Sequence, residues 1–127
     1  MPHETFDVIC SYTRAQALED GVLVDVTDTA RELGIKIPVA LTHAVWHRYI
    51  ELTPAAERAC NDERGRLWDV LWMFRWAAVG SPDASEIVFS LHVVTDSPTP
   101  SLVQLKAICG PGDEGEPVIT IMLPEED

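Results

Sequence analysis

Apolar residues recur along this chain in two rhythms, and the change from one to the other falls near residue 80. Leu67, Val70, Leu71, Phe74, Ala77 and Ala78 follow the three-and-four spacing of a helical face, which predicts a helix over 66–79. Trp68, Trp72 and Trp76 form a second stripe at intervals of four. A helix apolar on two faces is expected to be central, packed between a sheet and other helices, with its tryptophans filling core. The same stripe could also serve as a stacking platform for a base, a peptide or an aromatic ligand. Gly80 ends the helix.

Beyond it the pattern turns extended. Ile87–Val94 is rich in β-branched and aromatic residues. In Leu102–Ile108, Leu102, Gln104 and Lys106 face one way and Val103, Leu105 and Ala107 the other. Val118–Leu123 is a third strand. A loop with two prolines (Thr95–Pro100) and a turn-rich connection (Gly110–Pro117) join the three.

The first half reads as short helices with brief extended pieces between them. Thr13 is placed to cap Arg14–Asp20, and Gly21 to end that helix in a left-handed conformation. Val22–Val24 could be a strand. Thr27 then caps a short helix over Asp28–Leu33, with Gly34 after it. Ile35–Ala40 is extended because Pro38 disfavours helix at Ile37. Thr42 opens a helix running to about Glu51, and Thr53-Pro54 opens another. The expectation is a single α+β domain over 1–127. It has a roughly three-stranded antiparallel sheet packed with several helices, the tryptophan-rich helix 66–79 at its centre.

Charge changes the picture. The chain of 127 residues carries 21 acids and 9 bases, a net charge of −12. Residues 81–127 hold only one base, Lys106. Such a field repels phosphate backbones and anionic membranes and attracts basic protein surfaces, so neither direct nucleic-acid binding nor membrane binding is expected. Acidity also serves solubility. The first ten residues include Glu4 and Asp7 and no long apolar run, which predicts no secretory leader. Leu67–Val79 is too short and too charged to span a bilayer. A cytoplasmic location is the expectation.

Candidate chemistry is sparse. Cys10, Cys60 and Cys109 are far apart, as expected of reduced, buried thiols. His43, His47 and Glu51 share one helical face and could hold a metal, but the glutamate of an HExxH site is missing. Nucleophile elbow, phosphate loop and dinucleotide fingerprint are all absent. No enzyme activity, metal or cofactor is expected. The remaining candidates are carboxylates: Asp113, Glu114 and Glu116 in the Gly/Pro-rich turn, and Glu125, Glu126 and Asp127 at the C-terminus. If strand 118–123 lies between them, the two groups stand about 20 Å apart at roughly 3.3 Å per residue. That separation could track the phosphates on a duplex-binding surface. A calcium site at Asp113–Glu116 lacks the regular ligand spacing of a calcium loop.

Three segments, Tyr12–Val26, Gly65–Met73 and Leu105–Asp127, carry a resemblance. Through them the chain resembles a family of small acidic proteins of unknown function encoded on bacterial phages, plasmids and integrative elements. The resemblance implies a mobile-element context, in which small acidic proteins antagonise host defence. The expected function is inhibition of a host nucleoprotein complex, a CRISPR effector or a restriction enzyme, through the six carboxylates docking on its basic surface as a DNA mimic. The alternatives are a protein-interaction module for plasmid or phage maintenance that uses an apolar patch, and a metal-dependent enzyme.

Overall fold

The computed structural model describes residues 12–126. In chain order, these hold α1 (Arg14–Asp20), β1 (Leu23–Asp25), α2 (Thr27–Glu32), β2 (Val39–Thr42) and α3 (His43–Val45). The last of these runs into a turn of π-helix over Trp46–Ile50. Then come α4 (Pro54–Arg58), α5 (Glu63–Val79), β3 (Glu86–Val93), β4 (Ser101–Pro111) and β5 (Pro117–Met122).

Capping chemistry sets the helix starts. The Thr13 hydroxyl accepts from Gln16 N, the Gln16 side chain accepts from Thr13 N, and Gly21 closes α1 at φ +79°. Thr42 and Thr53 each accept from the backbone N–H three residues on. α2 differs from expectation. Thr27 is its first residue rather than its cap, and its N–H and hydroxyl both donate to Asp25. α5 begins three residues earlier than the apolar pattern suggests, because Asp62 caps it by accepting from Gly65 N at 2.6 Å.

Among the described residues the sheet has five strands, in the order β1-β2-β5-β4-β3. The meander β3-β4-β5 is antiparallel, as the sequence implied. The expected count of three strands is corrected to five and the sheet is mixed: β2 joins β5 in parallel, and β1 adds antiparallel to β2. The physical reason is burial on both faces. Val39, Ala40 and Leu41 are all almost wholly inaccessible, so β2 shows none of the in-out alternation that betrays a strand. β1 has only three residues.

One face of the sheet carries Val39, Leu41, Phe89, Leu91, Val93, Leu105, Ala107, Ile119 and Ile121. It packs against α2, the π-helical turn and the inward face of α5 (Leu67, Val70, Leu71, Phe74). α1 sits on the opposite face, where Arg14 Nη1 donates to Thr120 Oγ1 at 2.6 Å. β3 and β1 are the sheet edges.

Candidate functional site: the groove between α5 and β3

Asp113, Glu114 and Glu116 lie at one end of β5 and Glu125 and Glu126 at the other, as the sequence implied, but several have structural work. Arg14 N and Ala15 N donate to the two Asp113 oxygens at 2.7 and 3.0 Å, which makes this carboxylate an anchor for the start of α1. Those two bonds, with Arg14 nearby, hold Asp113 below the usual carboxylate range. Glu116 folds back inside its own turn and accepts from Glu114 N at 3.3 Å. Glu126 accepts from Thr42 Oγ1 and Leu123 N, while its carbonyl accepts from Lys106 Nζ. Glu125 stands 3.8 Å from Arg48 on the surface. Glu114 is exposed with no side-chain partner among the described residues. Asp127 lies outside the described residues, as does Cys10.

The histidine face is occupied by itself. His47 Nδ1 lies 3.0 Å from Glu51, the rings of His43 and His47 stack at 5.9 Å, and among the described residues no three potential ligands converge. Cys109 is half-buried. Cys60 is exposed, against the expectation of a buried thiol, and adopts φ +63°, a region that a side chain with a Cβ disfavours.

A different surface gathers the unspent chemistry. Only part of the tryptophan stripe is core: Trp68 packs against it, whereas Trp72 is 42% exposed and Trp76 63% exposed. Met73 and Val79 join them at 36% and 64%, so four large apolar side chains at 72, 73, 76 and 79 share one outward face of α5. This departs from the expected central helix. The sheet and the π-helical turn pack on the inward side of α5, and among the described residues no element covers this one.

The open face borders the edge strand. Asp69, Trp72 and Met73 of α5 line one wall of a cleft of about 310 Å³; Ser90, Leu91, His92 and Leu102 line the other. A second cleft, of about 210 Å³, continues it toward the end of β3 and is lined by Tyr49, Asn61, Arg66, Asp69, His92 and Val94 among others. Together they form a groove between the N-terminal half of α5 and β3.

Arg66 closes this groove. It is 5% exposed and is the buried charged residue of the described chain. Nε donates to Tyr49 O at 2.8 Å, and Nη1 donates to Val94 O at 2.8 Å and Asn61 Oδ1 at 3.3 Å. All three acceptors line the second cleft, so the guanidinium lies at its wall. Nη2 has no hydrogen-bond partner among the described residues. Among the described residues no carboxylate forms an ion pair with it. Burial lowers the Arg66 pKa, and desolvation raises that of Asp69, so each charge in the groove is less comfortable than in water. A buried cation with an idle donor favours an incoming acceptor, best of all an anionic one. Tyr49 belongs to the π-helical turn, fixed by Glu51 N donating to Trp46 O at 2.9 Å; such turns recur at functional sites.

The sequence reading missed Arg66, although a signal existed. Arg66, Val70 and Phe74 succeed one another at helical spacing, which puts the arginine on the core face.

No curated protein and no solved structure matches the chain. The model for a family of unknown function (DUF6573) matches residues 2–127, and the chain belongs to that family.

Proposed function

We propose that this protein is a non-catalytic binding protein that docks a protein partner on the exposed aromatic face of α5 and the adjoining β3 groove. The observation that carries this reading is the run Trp72, Met73, Trp76 and Val79, solvent-exposed on the face of α5 opposite its core residues Leu67, Val70, Leu71 and Phe74. Contiguous exposed apolar surface is costly in a soluble domain and marks contact sites; tryptophan is the side chain most enriched among binding hot spots. The net charge of −12 selects a partner with a basic surface around an apolar anchor and accelerates its approach.

A mobile-element setting, with a host defence complex as partner, enters through the family resemblance alone. A second reading keeps that setting but moves the contact to the carboxylates at the two ends of β5, as a mimic of duplex phosphates. It is favoured by the exposure of Glu114, Glu116 and Glu125.

Capture of partners by the tagged protein separates the two when run with variants. A partner held through high salt, and lost by Trp72→Ser/Trp76→Ser, supports the aromatic face. A partner released by salt or by added duplex DNA, and lost on charge reversal of Glu114, Glu116 and Glu125, supports the acidic contact instead.

A further inference from the structure

We propose that the free edge of β3 receives an extended peptide segment, running parallel to β3, whose C-terminal carboxylate is bound by Arg66. This deepens the docking reading above and rests on it, because Trp72 and Met73 form one wall of the same groove.

The edge is identified by hydrogen-bond parity. In an antiparallel pair, alternate residues turn their N–H and C=O toward the partner strand and the others turn both away. Cys109 N donates to Ser85 O at 2.8 Å, which assigns residues 85, 87, 89, 91 and 93 to the ladder with β4. The groups of Glu86, Val88, Ser90, His92 and Val94 therefore point to the free side. The Val94 carbonyl confirms this from the other direction: it is taken by Arg66 Nη1, from α5. Arg66 thus stands at the end of the open edge, in line with the position a sixth strand would occupy.

An unpaired edge of eight residues is a template for strand addition, which natural folds usually blunt. Here nothing on the free side of Val88, Ser90 or His92 is bonded to another element among the described residues. The groove instead offers both parts of a peptide site. Ser90 and His92 supply main-chain donors and acceptors, and Trp72, Met73 and Leu102 supply apolar walls for alternate side chains. Arg66 Nη2 is the feature that fixes the occupant. It is buried, it is idle, and it belongs to a guanidinium with no acid partner among the described residues. Because β3 runs from Glu86 toward Val94, a terminus that reaches Arg66 belongs to a segment running the same way. A free carboxylate there, met by a small shift of the Arg66 side chain that uncovers Nη2, would accept from it and offset the buried charge. An internal peptide segment brings only a neutral carbonyl.

The test is an array of random hexapeptides displayed with free C-termini, alongside the same sequences as C-terminal amides, probed with the full-length protein. A subset of free acids with apolar residues is expected to bind. Amidation should weaken each by at least about tenfold, the worth of a charge-assisted hydrogen bond. Ser90→Pro removes an N–H that faces the free side and leaves the β3–β4 ladder intact, so it should fold normally and lose the same peptides. Arg66→Gln, verified by cooperative unfolding, should bind free acid and amide alike. Amides binding as well as acids, full binding by Ser90→Pro, or no peptide bound at all would each overturn the proposal. None of these results touches the docking reading, which fails separately if Trp72→Ser/Trp76→Ser holds a partner as well as the native chain does.

Discussion

Arg14 and Arg66 each leave water on folding, and the difference between their surroundings separates the closed corner of this molecule from its open one. Burial pulls both pKa values down. At Arg14 the loss is answered from all sides: Thr120 Oγ1 and Ile119 O accept from it, and Asp25, Asp113 and Glu116 surround it with negative charge. Among the described residues Arg66 has three oxygens, none of them charged, and one nitrogen without a partner. The first arrangement is finished as a fold element. The second fastens the π-helical turn and the end of β3 to α5 and leaves a donor over. A charge-satisfied corner is architecture; an unsatisfied one beside exposed tryptophans is where a ligand contributes most.

Substitutions sharpen that contrast, beginning with the largest effect. Arg66→Met should cost about 2–4 kcal/mol in urea unfolding, because it strands the buried carbonyls of Tyr49 and Val94. Arg14→Met should cost less, about 1–2 kcal/mol, since its site is only half-buried and water can replace it. An equal loss at both positions would break the comparison.

Asp113→Asn probes the closed corner through pH. The folded carboxylate titrates below its ordinary 3.8, so its stabilisation is complete above that value and is lost as pH falls through the lower folded pKa. Thermal melts of the native chain and the variant should differ at pH 6 and converge once the pH has fallen through the lowered folded pKa. A gap that persists in acid would mean the carboxylate anchors α1 by shape alone.

Cys60→Gly acts at the rim of the open corner. Removing the Cβ at φ +63° should stabilise by about 1 kcal/mol, and a loss instead would show that the thiol packs against something. Smallest of all, Trp76→Ser should change stability by no more than about 0.5 kcal/mol, since the side chain faces solvent.

The two corners were unequally legible in the sequence. Local chemistry was readable: Thr13 and Gly21 announced both ends of α1, and the alternation in Leu102–Ile108 separated the residues of its two faces correctly. β2 was legible only as part of an extended piece, Ile35–Ala40, because both its faces are buried, which erases the period of two. The role of Asp113 depends on Arg14 and Ala15, about a hundred positions away, and no local pattern reports such a bond. Composition drew attention to the carboxylates, which turned out to be partly structural. The groove was obscured because an apolar stripe reads as core until the packing of α5 shows which half of it stays uncovered.

The proposed contact is made by the aromatic groove rather than by the acidic ends of β5. Titration calorimetry of a captured partner against Trp72→Ser/Trp76→Ser, at low and high salt, tests it most directly. A loss of affinity of at least about thirtyfold, the scale of a binding hot spot, is expected and should persist in high salt. Unchanged affinity in that variant, with binding abolished by charge reversal of Glu114, Glu116 and Glu125, would contradict it.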